Sequence, residues 1–459
     1  MTLQPAQRRS GLSDLAAIQQ ANPERYPFLL HSAAAGGEAG NGRYDILFAF
    51  PGERLRLQAD GRLAGRATGR GDFLSALDDW WRAESVAGGE GGLPFHGGWF
   101  LYLGYELAGQ IETRLRLPAP AAGQPVAEAV RIPAAIINDR LNNETWLLAE
   151  AEAAMLEAMA ADLAAGGTLP PEPPACAGLR ADAPERYLRQ AERVGQYIRE
   201  GDVFQVNLSR KWQAPLSAGA NAGIDPGALY RRLCARNPAP FAGLAYLSGL
   251  RILSSSPERL VRVRGRRVET RPIAGTRPRD LRAPRDRALK SELIGHPKER
   301  AEHIMLIDLE RNDLGRICEP GSIAVDELMA IESYAHVHHI VSNVSGRLRE
   351  EVTPAAVIRA VFPGGTITGC PKERCMAIIA ELEKEARGAY TGSMGYLNRD
   401  GDMDLNILIR TITRDATHLT LRAGAGLVAD SDAERELQET AHKARGLLLA
   451  LEAGAEETA

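Results

Sequence analysis

No run of about 18 apolar residues occurs in this 459-residue chain, so the sequence predicts no membrane-spanning helix. Charge of neither sign dominates. Lys and Arg number 55 against 59 Asp and Glu, a formal net charge of −4, which argues against a nucleic-acid or anionic-membrane partner. Cysteine is scarce and odd in number. Cys176, Cys234, Cys318, Cys370 and Cys375 are scattered without metal-ligand spacing, as expected of free thiols in a reducing cytoplasm. The opening Met1-Thr2-Leu3-Gln4-Pro5 has no signal-peptide pattern, which points the same way. No cysteine stands in a Gly-x-Cys-x-Gly nucleophile turn, so a glutaminase motif is missing. No Gly-Lys-Ser/Thr follows a four-residue spacer, which excludes a Walker-type phosphate loop.

What is present reads as a soluble globular protein, 44% hydrophobic and 25% charged, with no internal repeat. Residues 1–165 form a first section. Within it Tyr44 to Phe50 and Ile132 to Ile137 read as buried strands, and Leu74 to Arg82 and Glu150 to Leu163 as helices. Residues 166–178, rich in Gly and Pro, read as a linker before a second section, 179–459. There Pro184 to Glu200 reads as a helix with Leu188, Ala191, Val194 and Ile198 on one face, followed by a strand from Val203 to Leu208. Val261 to Ile273 reads as a hairpin turning at Gly265, and Lys298 to Asp313, Glu373 to Ala386 and Asp432 to Leu451 read as helices. Residues 390–428 alternate short β-rich runs with turns, suggesting an antiparallel meander. Runs of strands and runs of helices argue an α+β fold.

Residues 362–376, Phe-Pro-Gly-Gly-Thr-Ile-Thr-Gly-Cys-Pro-Lys-Glu-Arg-Cys-Met, read as a turn-rich loop feeding a helix, a place where backbone N–H groups can meet an anion. Glu299 and Glu302 share one helix face, as do Glu436, Glu439 and Lys443; two such faces could cage a hard divalent cation or simply face solvent. Ala423-Gly424-Ala425-Gly426 follows a predicted strand, where small residues could expose N–H groups to a carboxylate or form a bulge. His336, His338 and His339 crowd together without a standard zinc spacing.

The 362–376 stretch resembles the Pro-Gly-Gly-(Thr/Ser)-Ile-Thr-Gly-x-Pro-Lys signature of the chorismate-binding enzymes, which include anthranilate, aminodeoxychorismate, isochorismate and salicylate synthases. Residues 271–279, 299–316, 336–346, 390–397 and 423–443 resemble further family blocks in family order. Leu29-Leu30-His31-Ser32, Leu93-Pro94-Phe95 and Gly104-Tyr105 resemble the aminodeoxychorismate synthase component I branch. The resemblance implies an anthranilate synthase component I-like fold, two packed antiparallel sheets flanked by helices. It implies Mg²⁺ held directly by Glu302 and Glu439, with Glu299 and Glu436 acting mostly through water. Glu258, in Ser256-Pro257-Glu258-Arg259-Leu260, matches the general acid, and His339 an active-site histidine. Thr276 and Thr366 fall in family blocks. Tyr390 and Arg410 match contacts to the enolpyruvyl carboxylate, Gly424, Ala425 and Gly426 fall in a substrate-binding block, and Lys443 lies near the substrate carboxylate. Leu30, Ser32, Asn237, Pro238 and Phe241 match the positions of a tryptophan pocket, structural or empty.

Two positions discriminate within the family. Gln205 replaces the lysine with which isochorismate and salicylate synthases activate water; an amide cannot act as that base, so ammonia is the expected nucleophile. Ala274 stands where many aminodeoxychorismate synthases carry a lysine that adds to ring carbon 2, and where anthranilate synthases usually carry alanine. Four other stretches, Gln205 to Leu208, Asn237 to Phe241, Pro363 to Gly365 and Leu29 to Ser32, favour the aminodeoxychorismate branch. The sequence therefore predicts a Mg²⁺-dependent synthase of 4-amino-4-deoxychorismate, serving para-aminobenzoate and folate synthesis. Its ammonia would come from solution or from a glutamine amidotransferase subunit in a heterodimer. Anthranilate synthase component I is the second reading, and a non-catalytic tryptophan sensor the third.

Overall fold

The structure is a computed structural model that describes residues 5–33, 42–88, 92–150, 153–167, 171–216, 219–280, 282–334 and 337–452. His336, residues 168–170 of the expected linker and 151–152 of an expected helix lie outside the described residues.

Two antiparallel sheets form the centre. The first runs, in spatial order, through Pro5–Ser10, Glu144–Ala149, Ala134–Asp139, Tyr44–Ala49, Phe28–His31, Phe241–Leu247, Leu250–Ser256, Thr411–Arg414, His418–Leu427, Gln205–Pro215 and Arg180–Ala181. The short strand Gly369–Cys370 also pairs with Gln205–Pro215. The second runs through Ile273–Pro278, Val337–Arg347, Arg267–Thr270, Arg259–Arg264, Met403–Asn406, Ser393–Asn398, Gly98–Leu103, Pro125–Ile132, Arg54–Gln58, Arg62–Gly65 and Gly69–Arg70. Both sheets mix strands from the first 165 residues with strands from the rest of the chain: Leu29 pairs with Leu244 in one, and Leu103 with Ser393 in the other.

The sheets pack face to face through aromatic and branched side chains. Phe28 of the first stacks on Phe100 of the second with ring centroids 4.0 Å apart, and Phe48, Tyr102, Ile252 and Tyr396 fill the same layer. Burying each such side chain contributes roughly 1.5–3 kcal/mol. Helices cover the outer faces. Leu229, Leu233 and Leu447, from Pro226–Arg236 and Ala433–Leu451, pack on Leu244, Leu253 and Ile412. On the other side Phe73–Glu84, Pro354–Val361 and Pro297–Gly315 close over Leu101, Leu103 and Val261. The helix starts follow ordinary capping chemistry: Asp72, Asp225, Thr353 and Asp432 each accept from the N–H three residues on. Among the described residues no helix is long and apolar enough to cross a membrane.

The expected helices and the hairpin at Gly265 are present within a few residues of their read bounds. Two expectations change. The apolar run 132–137 is not one strand: Pro125–Ile132 belongs to the second sheet and Ala134–Asp139 to the first, and the chain changes sheet at Pro133, which has no N–H to continue a ladder. Residues 390–428 likewise form two hairpins in different sheets rather than one meander. The chain passes between them through 407–410, where Arg410 takes a left-handed φ of 52°.

Candidate active site

The strand Gln205–Pro215 forms the floor of the site, lying between His418–Leu427 and the signature loop. The loop is welded to it by backbone bonds: Phe204 N donates to the Cys370 carbonyl over 2.7 Å and Asn207 N to that of Thr368 over 2.9 Å. Gly369 has φ 131°, and a Cβ there would sit 2.1 Å from the Gln205 carbonyl oxygen, so only glycine permits this approach. Lys372 of the signature does not face a ligand; its Nζ pairs with Asp313 at 2.5 Å and ties the loop to the helix Pro297–Gly315. That helix carries Glu299 and Glu302.

Glu258 lies where Leu250–Ser256 gives way to Arg259–Arg264, with 4% of its surface exposed. Its backbone is fixed by Ile407 N, which donates to its carbonyl over 3.0 Å. The carboxyl Oε1 is buried without a partner. Burial pushes the group up to about 8; the Thr366 hydroxyl opposes this and nearby Glu310 adds to it. Glu258 therefore holds its proton at neutral pH, as a donor to a leaving group must.

Ala274 and Thr276 flank a bulge in Ile273–Pro278. The extra residue, Gly275, has φ 64°, and a Cβ on it would sit 2.8 Å from Glu299 Oε2. The bulge aligns Thr276 with His339 on the neighbouring strand, and the Thr276 hydroxyl lies 3.0 Å from His339 Nδ1. Burial lowers His339 to about 4, so its ring is neutral at pH 7. Ala274 is 6% exposed and brings no nucleophile.

Tyr390 is buried, and burial raises its phenol to about 12 against the opposing pull of Arg387. Arg410 donates to the Lys443 carbonyl, and burial lowers its guanidinium to about 10, with Tyr390 and Glu439 close enough to pull it back. Gly424, Ala425 and Gly426 do not follow a strand as the sequence suggests; they lie inside His418–Leu427, paired with Ser209, Leu208 and Asn207. Their small size serves neighbouring side chains. A Cβ on Gly424 would sit 2.6 Å from the Tyr390 hydroxyl, and one on Gly426 2.4 Å from Gln205 Nε2.

Gln205 is 3% exposed. Its Nε2 donates to Glu302 Oε1 over 2.9 Å, while its Oε1 is buried without a partner. Glu302 is raised by burial and by Glu299 and Glu439, so carboxylates from two helices bear on one another. Glu299 also pairs with Arg277 at 3.2 Å and Glu439 with Lys443 at 2.6 Å; Glu436 is largely buried in the first turn of its helix. Among the described residues no three His, Cys, Asp or Glu groups converge as a ready metal site. The chemistry of the donor set nevertheless suits a hard cation, because mutually repelling carboxylates are relieved by one.

A separate cavity of about 610 Å³ lies between the sheets. Leu30, Ser32 and Phe241 line it, together with Tyr44, Met394, Arg259, Arg262 and Arg264. Asn237 and Pro238 are outside its lining; Asn237 ends the helix Pro226–Arg236.

Arg387, Glu383, Glu310 and Tyr334 join the site although no local pattern in the sequence marks them as functional. Glu310 is a buried carboxyl raised to about 7 by burial, close enough to Glu258 to bear on it. The Tyr334 ring lies against His339 with centroids 6.0 Å apart. Arg387 follows Glu383 by four residues, a spacing that hints at an ion pair, and nothing local betrays its other partners.

Over residues 27–449 the sequence matches the family described as chorismate binding enzyme. It is 40% identical to aminodeoxychorismate synthase component 1 of Bacillus subtilis, over 84% of each chain. It is 38% identical to anthranilate synthase component 1 of Streptomyces coelicolor, over 95% of this chain and 86% of the relative. The crystal structure of anthranilate synthase component I from Streptococcus pneumoniae superposes with a TM-score of 0.78 at 31% identity, covering 90% of this chain and 93% of that one. With the fold, the signature loop and the buried acid in place, these matches show that the chain belongs to the chorismate-binding enzymes.

Proposed function

We propose that the protein is component I of an aminodeoxychorismate synthase, converting chorismate and ammonia into 4-amino-4-deoxychorismate for para-aminobenzoate and folate synthesis. The observation that carries the choice of ammonia over water as nucleophile is Gln205, and the stretches Leu29 to Ser32, Asn237 to Phe241 and Pro363 to Gly365 favour this branch over anthranilate synthase. The buried Gln205 amide stands where a water-activating base would be needed, and its free Oε1 can accept a hydrogen bond from ammonia.

Tyr390 and Arg410 would hold the enolpyruvyl carboxylate, and Lys443 would lie near the substrate carboxylate. Ammonia adds at ring carbon 2 while the carbon-4 hydroxyl leaves as water, taking its proton from Glu258. A second ammonia adds at carbon 4 and the carbon-2 amine departs as ammonia. Each ammonia that adds sheds one proton: that of the first restores Glu258, and that of the second balances the proton with which the carbon-2 amine departs, so the net change is hydroxyl for amine. Ala274 offers no side chain to add covalently, and the intermediate, 2-amino-2-deoxyisochorismate, stays unlinked to the protein. Glu302 and Glu439, with Glu299 and Glu436, would hold Mg²⁺, which supplies charge neutralisation at the ring carboxylate. The ammonia comes from solution or from a separate glutamine amidotransferase subunit.

Anthranilate synthase component I is the second reading, favoured by Ala274, since both reactions share this intermediate and part when pyruvate is eliminated. Product identification decides between them. With chorismate, Mg²⁺ and ammonium salt, 4-amino-4-deoxychorismate should dominate and the intact protein mass should stay unchanged. Anthranilate as main product would overturn the assignment, and a chorismate-derived mass adduct the mechanism.

A further inference from the structure

Arg387 lies just beyond the helix Lys372–Glu383, where the left-handed Lys384 turns the chain back on itself. Its side chain is almost fully buried, yet every nitrogen of the guanidinium is used. Nε and Nη2 grip the Glu383 carboxylate at 3.0 and 2.7 Å. Nη2 also donates to the Asn207 carbonyl over 2.7 Å, and Nη1 to the Ile367 carbonyl over 3.2 Å and to the Thr391 hydroxyl over 3.4 Å. The plane lies against the rings of Tyr390 and Tyr105, 5.4 and 5.0 Å from their centroids. The Arg387 N–H in turn donates to buried Glu106 over 2.7 Å.

The choice of partners is informative. Asn207 is two residues from Gln205 on the floor strand, Ile367 adjoins Thr366 in the signature loop, and Thr391 adjoins Tyr390. A buried Arg–Glu pair by itself adds little to stability. A guanidinium that also reaches three separate segments, each carrying a residue of the proposed site, fixes their mutual spacing. Lysine could not do the same, because a single ammonium lacks the planar fork.

We infer that Arg387 is a positioning residue: it holds Tyr390, the signature loop and the floor strand in the arrangement that receives the substrate carboxylate. This rests on the reading of Tyr390 as a substrate contact. The experiment compares R387K, R387M, Y390F and the R387K/Y390F pair in the full chain, reading KM and kcat for chorismate and the unfolding midpoint. R387K keeps the buried charge that Glu383 needs, and so remains informative if R387M fails to fold. R387K should still unfold cooperatively, with a midpoint lowered less than that of R387M, and raise KM about tenfold, with a smaller change in kcat. Adding R387K to Y390F should cost markedly less than R387K alone, the non-additivity expected of residues acting through one another. A wild-type KM for R387K while Y390F raises KM would overturn the inference and leave the site reading intact, and so would losses that multiply independently. A wild-type KM for Y390F would overturn the site reading and this inference together.

Discussion

Gln205 donates its side-chain N–H to Glu302 Oε1 over 2.9 Å. The amide proposed to stand in place of a water-activating base is thus bonded to the carboxylate proposed to hold the cation. One N–H of the amide is committed to that carboxylate, and its acceptor oxygen is buried without a partner. In the proposed reading, one residue would link the choice of nucleophile to the placement of a metal ligand.

Glu258 should behave as an acid with a pKa near 8. At a fixed concentration of free ammonia, kcat/KM should be level below that pH and fall as pH rises through it, and E258Q should lose about 10²-fold or more in turnover together with that limb. Stability carries its own sign. A carboxyl raised from 4.5 to about 8 contributes stability that is full below 4.5 and lost as pH rises through 8, so E258Q should melt higher than wild type in alkaline buffer. A rate and pH profile unchanged in E258Q would remove Glu258 from the chemistry.

The carboxylate cluster gives a second expectation. A chelator, E302A or E439A should abolish turnover while the melting temperature holds. Full activity in excess chelator would sink the Mg²⁺ assignment.

Gly424 should tolerate no side chain, since a Cβ would lie 2.6 Å from both the Tyr390 hydroxyl and Asn207 Oδ1. G424A should raise KM for chorismate, and overpacking should cost about 1–3 kcal/mol in a denaturant titration. A variant with wild-type KM would show that Tyr390 can shift without consequence.

The missing glutaminase motif sets a fourth. The purified chain should make product from ammonium salts but not from glutamine until a small amidotransferase subunit is added. Glutamine-dependent turnover by the chain alone would refute the partner.

What the sequence made legible was local. The signature loop is dense in glycine and proline, and Glu299 with Glu302, or Glu436 with Glu439, sit at a spacing any helix turns to one side. What stayed hidden was long-range. The change of sheet at Pro133 lies inside an apolar run that reads as one strand, because both flanking strands are buried. Ala423 to Gly426 reads as a patch that could offer N–H groups or form a bulge; that its two glycines also yield space to Gln205 and Tyr390 is something periodicity cannot place. Arg387 could be paired with Glu383 by spacing, but its reach to Asn207 and Ile367 is a product of the closed fold.

The interleaving of early and late strands bears on how the protein comes to exist in a cell. Phe28–His31 waits for Phe241–Leu247, and Gly98–Leu103 for Ser393–Asn398, before their edges are covered. The first sheet closes only after His418–Leu427 has left the ribosome. Until then apolar strands such as Gly98–Leu103 stay open to mispairing, and so many distant partners make folding slow. The nascent chain is therefore a natural client for chaperones, and expressing residues 1–165 alone should yield aggregates rather than a domain.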